Sequence, residues 1–338
     1  MQRKKSAKRR GERTAVTLLS ILFLSVAAVA TVKYMFRAPE LDADRPVTPD
    51  AVTDADTAAD GGEEGSTSTV RARRSEHCYM ILVSGLDDGN GGSDTNILVR
   101  FDAPNKSIDL VSLPRDTLLH NEYKNNKLNF AYAKGGTELL ASEIENLLGV
   151  PVDFYVKVDL TGFIALVDQI GGVDFDIPIN MDYDDPYQDL HIHFTKGPRH
   201  LNGQEAMEVV RFRHNNDGTG YGTEDIGRIG TQQAFLKAVA KQLLQVENVK
   251  NIPALAEIFF SYVKTDLTLG NLVWLGTEAL NIGMENLRFH TLPGDGAGWY
   301  KGQSVYALDP EATLALVNDA LNPYAEPLTM EDLDILVP

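Results

Sequence analysis

Cysteine is nearly absent, with Cys78 alone among 338 residues. A single thiol closes no intramolecular disulfide and builds no cysteine-based zinc site; Cys78, opening an apolar run, reads as a small core residue. Positive charge is also scarce, the formal net charge being −17. That excludes a nucleic-acid partner, because binding a phosphate backbone takes clustered cations. The phosphate loop GxxxxGK[ST], the elbow GxSxG, the zinc helix HExxH and a GxGxxG after a strand are all missing, and with them the usual marks of nucleotide, hydrolase, metalloprotease and dinucleotide sites. Gly294-Asp295-Gly296-Ala297-Gly298 lies outside any strand-to-helix context and reads as a loop. What is present is ordinary for a folded protein: 43% hydrophobic and 23% charged residues bury a real core and rule out a wholly disordered chain.

The charge is unevenly spread. Arg3, Lys4, Lys5, Lys8, Arg9, Arg10 and Arg13 stand against Glu12 alone, a local +6. Thr14 to Val32 follows as an uncharged apolar run. Nineteen residues at about 1.5 Å each just span a bilayer core of about 30 Å, and the positive-inside rule places residues 1–13 in the cytoplasm. The run is longer than a usual signal-peptide core, which favours a retained anchor over residues 14–32, although Ala28-Val29-Ala30 also fits a cleavage site. Either way the bulk of the chain acts outside the cytoplasm, and the retained anchor makes it a single-pass cell-membrane protein. Residues 38–65 carry nine acids and one arginine with almost no large apolar side chains, too little to offset ordering entropy. Residues 33–74 therefore read as a disordered acidic extracellular linker.

From Tyr79 onward strand and helix signals alternate. Tyr79–Val83 is a buried-strand run. Asn96–Phe101 and Ser107–Leu113 form a hairpin about Ala103-Pro104-Asn105. Thr137 caps a helix carrying Leu140, Ile144, Leu147 and Leu148 that ends at Gly149. A strand over Asp153–Asp159, a helix over Leu160–Ile170, a stop at Gly171-Gly172 and a strand over Val173–Ile177 follow. A long helix covers about Thr223–Gln245, and a late helix is capped by Asp309 with Pro310 at its first position. This order predicts an α/β fold, a mixed central β-sheet flanked by helices on both faces. Residues 75–245 form its main domain, and residues 246–338 a C-terminal extension packed with it, to which no site is assigned.

On the long helix, Leu236, Val239 and Leu243 make an apolar stripe that continues into Asp225, Arg228 and Gln232. A core-facing stripe that opens with polar groups implies either a satisfied internal network or a pocket mouth, unless it is only a local Asp225–Arg228 ion pair at a frayed helix start. Arg211 and Arg213 flank Phe212 and point the same way if that segment is extended. Arg115 follows Pro114 at the end of the hairpin. Asp87 and Asp94 sit at neighbouring strand ends, where two carboxylates can mount Mg²⁺ on phosphate oxygens; singly, each reads as a turn residue. Two acids and several arginines together suggest a site for an anionic, pyrophosphate-like ligand. His191 and His193 share a strand face with no third ligand close in sequence, and read as half-exposed strand residues rather than metal ligands.

An ordered set of motifs extends this reading: Gly85-Leu86-Asp87, Ser93-Asp94-Thr95, Ser112-Leu113-Pro114-Arg115-Asp116-Thr117, Lys127-Leu128-Asn129-Phe130-Ala131-Tyr132-Ala133 with Gly135-Gly136, Val167-Asp168 with Gly171-Gly172-Val173, Val210-Arg211-Phe212-Arg213-His214, and Asp225 with Arg228 and Gln232-Gln233. In order and spacing they resemble the LytR-CpsA-Psr family of bacterial cell-wall proteins across about residues 75–245. The resemblance implies a phosphotransferase moving a glycopolymer from a polyprenyl-pyrophosphate carrier to the C6 hydroxyl of muramic acid in peptidoglycan, with polyprenyl phosphate leaving. It implies Mg²⁺ or another divalent cation on Asp87 and Asp94. Arg115, Arg211, Arg213 and Arg228 would neutralise the pyrophosphate, with Lys127 and Gln232 lining the site; the catalytic set is Asp94, Arg115, Arg211 and Arg213. An apolar cavity between sheet and helices would take the carrier tail.

Two positions depart from the family's pattern. Gly92 and Thr231 stand where many members have an arginine, and Asp88 is adjacent to Asp87 and able to substitute for it. The loss of two cations keeps open a non-catalytic lipid-pyrophosphate-binding scaffold. A membrane-bound transcriptional attenuator is the weaker alternative, since the only basic segment facing the cytoplasm is about fourteen residues long with no fold of its own.

Overall fold

A computed structural model describes residues 36–41, 71–86, 92–187, 189–222, 224–243, 257 and 259–338, with the side chains of 224–226 left aside. The first three strands, β1 (Cys78–Leu86), β2 (Ser93–Asp102) and β3 (Ser107–Leu113), form an antiparallel meander. Their long apolar runs follow from burial on both faces. Met80, Leu82, Leu98, Val111 and Leu113 point to one side, and Tyr79, Ile81, Ile97, Val99 and Phe101 to the other, as the period of two requires.

Helix α1 (Leu128–Leu148) covers the first side with Leu140, Ile144, Leu147 and Leu148. It starts nine residues before the expected cap. Gly135 and Gly136 break it with non-helical backbone, and the Thr137 hydroxyl makes no hydrogen bond. The glycine backbone, not a capping side chain, therefore sets this boundary. β4 (Phe154–Val158) returns parallel to β1. α2 (Leu160–Gln169) is capped by Asp159, whose carboxylate accepts from the Gly162 N–H at 2.7 Å. It stops at Gly171 and Gly172, both at positive φ, which glycine adopts without strain.

Four short strands follow: β5 (Val173–Ile177), β6 (Met181–Asp185), β7 (Leu190–Phe194) and β8 (Gly197–Leu201). They pair as two antiparallel ribbons, β5 with β8 and β6 with β7. Together with α2, α3 (Gly203–Arg211) and α4 (Glu224–Leu243), they enclose a separate apolar layer around Val173, Ile192, Val209 and Phe235.

The remaining chain rejoins the central sheet. β9 (Val263–Thr265) pairs with β4, and after α5 (Leu269–Ile282) β10 (Leu287–Thr291) runs parallel to β3. The order is β10-β3-β2-β1-β4-β9, a mixed six-stranded sheet. α1 covers one face; Leu275 and Ile282 of α5 and Leu236 of α4 cover the other. β11 (Gly294–Tyr300) and β12 (Gln303–Leu308) form a further ribbon, and α6 (Pro310–Leu316) carries the expected Asp309 cap. Since β9 and β10 lie in the central sheet itself, residue 245 is no architectural boundary.

Part of the stretch read as a disordered linker is docked. The Tyr79 hydroxyl donates to the Pro39 carbonyl at 3.0 Å, and the Asn271 amide to the Arg37 carbonyl at 3.0 Å. Arg73 pairs with Asp153. Backbone acceptors and three arginines, Arg71 on Asp332, Arg73 on Asp153 and Arg74 on the Tyr324 carbonyl, thus tie down segments whose composition alone offers little to bury. The run Thr14–Val32 lies outside the described residues; among the described residues no helix is long and apolar enough to cross a membrane.

Candidate functional site

The site is built where β2 begins and β3 ends. β2 opens with Ser93 against Leu86, the last residue of β1, and Asp94 follows at the sheet's rim. β3 ends at Leu113. The chain then turns at Pro114, whose carbonyl accepts from the Thr117 hydroxyl at 2.7 Å. This turn is clamped from two sides. The N–H groups of Leu128 and Asn129 at the start of α1 donate to the carbonyls of Thr117 and Arg115, and the Tyr306 N–H of β12 donates to the Asp116 carbonyl. Arg115 and Asp116 are therefore held by backbone hydrogen bonds to distant elements.

An alternating row of charge results. Arg115 Nη1 lies 2.7 Å from Asp94 Oδ1, and Arg213 Nη2 lies 3.6 Å from Asp94 Oδ2. On the other side, Lys127 Nζ is 3.4 Å from Asp116 Oδ1, which also stands 4.0 Å from Arg115 Nε. Three cations thus surround two carboxylates, and all five side chains are only partly exposed. Such a row presents cationic hydrogen-bond donors to an incoming polyanion at low reorganisation cost, because the carboxylates already hold the guanidinium groups in place.

Beside this row lies a cleft of about 450 Å³. Asp94, Arg115 and Asp116 form one wall, Arg228, Ile229 and Gln232 of α4 a second, and Asp295, Gly296, Ser304 and Tyr306 of the β11–β12 ribbon a third. Arg228 and Gln232, four residues apart on one helix face, both line it. The Gln232 amide donates to the Val210 carbonyl at 3.2 Å. Gln233 reaches the sheet instead: its Nε2 lies 2.6 Å from the His290 carbonyl, 2.9 Å from Thr291 Oγ1 and 3.1 Å from Ser112 Oγ. Burial, helped by the Asp295 carboxylate, raises the pKa of the Tyr306 hydroxyl, which donates to the Leu292 carbonyl at 2.9 Å.

Several expectations shift. The apolar anchor of α4 is Phe235, 1% exposed, whereas Leu243 is 39% exposed. The stripe turns because α4 packs into the ribbon layer as well as over the sheet. Arg211 and Arg213 are not on one extended segment. Arg211 ends α3, its Nη1 3.9 Å from Met207 Sδ, and Arg213 follows the helix cap at Phe212. Only Arg213 meets Asp94, and Arg211 does not line the cleft. Asp87 and Asp88 lie outside the described residues, as does the Asp225 side chain.

The third wall was missed, and the supposed loop Gly294–Gly298 is a strand. A Cβ at Gly294 would sit 2.3 Å from the Ala307 carbonyl oxygen, so glycine is what lets β11 lie against β12. A signal was present in Lys301-Gly302, a two-residue turn with both residues at positive φ, the usual hairpin connection. Asp116 and Gln233 lie within the motifs, and the sequence alone gives neither a role.

The LytR_cpsA_psr family profile matches residues 49–321. The chain belongs to the LytR_cpsA_psr family. Among curated relatives it is 31% identical to the polyisoprenyl-teichoic acid–peptidoglycan teichoic acid transferase TagV of Bacillus subtilis, over 77% of this chain and 68% of that protein. It is 33% identical to the transferase TagU of Bacillus cereus, over 75% of this chain and 80% of that one. The crystal structure of B. subtilis TagV superposes with a TM-score of 0.62 at 26% identity, covering 77% of this chain and 98% of that structure.

At the two positions where this LytR_cpsA_psr chain lacks a common arginine, the local packing is ordinary. Thr231 is buried, its Oγ1 2.9 Å from the Tyr221 hydroxyl and 3.2 Å from the Gly227 carbonyl. A Cβ at Gly92 would stand 3.6 Å from the Asn129 carbonyl, a normal contact. Arg115, Arg213, Arg228 and Lys127 still supply cationic charge at or beside the cleft.

Proposed function

We propose that this protein transfers a glycopolymer from a polyprenyl-pyrophosphate carrier to peptidoglycan during cell-wall assembly. The observation that carries the reading is the Asp94–Arg115–Arg213 cluster at the rim of a cleft walled by Arg228 and Gln232, in a chain resembling two teichoic acid transferases over three quarters of its length. The donor pyrophosphate would lie in the cleft with its oxygens on Arg115 and Arg228 and with Arg213 and Lys127 flanking. The acceptor, read as the muramic acid C6 hydroxyl, attacks the glycan-side phosphorus. The new P–O bond forms as the bridging P–O–P bond breaks, and polyprenyl phosphate leaves. Most of the catalysis then comes from positioning and from charge placed on the phosphate oxygens. Asp116, in the cleft wall, is the carboxylate at hand to take the hydroxyl proton. Val83, Leu166, Leu236 and Phe259 are half-buried apolar side chains packed against the core on the α4 side of the sheet, and a polyprenyl chain would follow that side.

Asp94 has the chemistry of a Mg²⁺ ligand, a partly exposed carboxylate at the cleft wall; with Asp87 it would hold the ion, which would supply further neutralisation of the pyrophosphate. Residues 14–32 are proposed as a single membrane anchor with the N-terminus in the cytoplasm and the catalytic domain outside, close to the lipid donor.

The test is to incubate the purified full chain with a polyprenyl-pyrophosphate oligosaccharide and peptidoglycan fragments, with and without Mg²⁺, and to follow polyprenyl phosphate release by mass spectrometry. Transfer that falls about 10²–10³-fold in Arg115→Ala is expected, the usual cost of one lost charge-stabilising donor. Donor binding with no transfer across several glycans would refute the proposal. Deleting residues 1–35 should release the protein from the membrane fraction; continued sedimentation with membranes would refute the anchor.

A further inference from the structure

We propose that the exposed face of the β6–β7 ribbon is a binding site for a divalent transition cation of the Zn²⁺ class, with His191, His193 and Asp184 as its ligands. The inference stands apart from the transferase reading, since none of these residues lines the cleft.

The strands' period of two creates the site. On β7, Ile192 is fully buried, so His191 and His193 on either side of it face solvent together. On β6, Met181 is buried and Asp182 and Asp184 face outward. The antiparallel register sets Asp182 opposite His193 and Asp184 opposite His191. One ring nitrogen from each histidine and one Asp184 oxygen lie within 4.8 Å of one another. His193 Nε2 is 3.3 Å from Asp184 Oδ1, and His191 Nδ1 pairs with the same oxygen. Ligand bonds of about 2.0–2.2 Å in a tetrahedral site put neighbouring donor atoms about 3.3–3.5 Å apart, so only small side-chain adjustment is needed. The third ligand hidden from a linear reading is Asp184, seven residues before His191 but directly across the ribbon.

One outer ring nitrogen carries the partner a metal-bound imidazole needs, and the other has a carboxylate near it without a hydrogen bond. His193 Nδ1 lies 2.8 Å from Asp182 Oδ1, and His191 Nε2 lies 3.6 Å from Asp189 Oδ1. A carboxylate on the far nitrogen fixes the tautomer that turns the other lone pair toward the ion. Two imidazoles and one carboxylate suit Zn²⁺ and its neighbours, with water in the fourth position, and disfavour Mg²⁺ and Ca²⁺, which take oxygen ligands. The β5–β8 ribbon supplies an internal contrast: Asp174 and His200 pair at 2.7 Å, but among the described residues they belong to no such triad.

The ribbon also ties into the segment that follows Arg213. The Asp182 and Asp184 N–H groups donate to the side-chain oxygens of Asn215 and Asn216 at 2.7 and 2.6 Å, and Asn216 donates back to the Asp184 carbonyl at 3.1 Å. A bound ion would stiffen this seam.

The test uses the full chain stripped of metal by a chelator. Zn²⁺ is titrated in competition with a chromophoric chelator, and Co²⁺ is used as a spectroscopic probe, its visible bands reporting tetrahedral imidazole ligation. One equivalent should bind, survive in Asp94→Ala, and disappear in the His191→Gln/His193→Gln double variant, with circular dichroism confirming that the variant is folded. Asp182→Asn should weaken binding about 10-fold or more through loss of the outer partner. Absence of a stoichiometric equivalent at micromolar free metal, or binding undiminished in the double variant, would overturn the proposal and leave two cross-strand His–Asp pairs.

Discussion

Gln233→Leu tests whether the site depends on a single clamp between helix and sheet. The Gln233 amide nitrogen stands within hydrogen-bonding distance of three acceptors on β3 and β10, but it carries two hydrogens, so two bonds are made at a time. Each is worth about 1 kcal/mol net, and leaving the His290 carbonyl short of a partner adds about 1 kcal/mol or more. Leucine keeps the volume and offers no donor, so the expected loss is about 2–3 kcal/mol. For a domain of this size that is roughly 4–12 °C in Tm. Urea unfolding followed by the fluorescence of Trp274 and Trp299 gives the stability directly, provided the m-value is unchanged. Because α4 also carries Arg228 and Gln232 into the cleft, loosening it should lower turnover beyond the stability effect; a displacement of about 1 Å costs as much as 10²-fold in rate. An unfolding midpoint and a turnover both equal to those of the parent protein would refute the clamp.

Asp109→Ala should cost about 3–5 kcal/mol in urea unfolding, because the buried Arg100 guanidinium loses the carboxylate that it holds at 2.9 Å; a loss below about 1 kcal/mol would mean the pair is already hydrated. Burial, seconded by the Asp102 charge, pushes the Cys78 thiol up to about 12, so Ellman's reagent should leave the folded protein unlabelled and react once it is unfolded in urea. The hydrogen bond to Asp174 raises the His200 pKa in the folded state, so the protonated pair adds stability below the ordinary imidazole value and loses it as pH rises through the raised one. Amide exchange across β5–β8, corrected for intrinsic rate, should therefore be faster at about pH 8.5 than at about pH 6, and His200→Gln should remove the difference.

The elements that read correctly from the chain are those whose boundaries are set locally. Gly171-Gly172 stops α2 at positive φ, Asp309-Pro310 starts α6, and the β2–β3 hairpin follows from two apolar runs about a turn. Asp94, Arg115, Arg228 and Gln232 were named from their motifs, and the fold brings all four to one cleft. Where the structure departs from the sequence expectation, a neighbouring local signal competes or the cause is tertiary. Asn202 and Glu205 form a capping box that starts α3 and carries the helix through Arg211, which removes the extended backbone needed to align Arg211 with Arg213. β11 has little side chain to announce a strand, because its glycines answer to the closeness of β12. The burial of Phe235 rather than Leu243 depends on a ribbon layer that helical periodicity alone does not reveal.

β10 lies parallel to β3 although some 180 residues separate them in the chain, and the cleft's third wall comes later still. During vectorial synthesis β3 therefore remains an open edge, its unpaired backbone groups available to any other strand, until residues 287–291 have emerged. Pairings of such long range are slow to form, and the intermediate that awaits them is the aggregation-prone species on the pathway. A chain truncated after α5 would retain the Asp94–Arg115–Arg213 cluster in its sequence yet lack both the strand that seals the sheet and the ribbon that walls the cleft. Nascent protein thus stays without a finished cleft until nearly the whole chain is made, which delays any capture of the lipid donor until folding is close to complete.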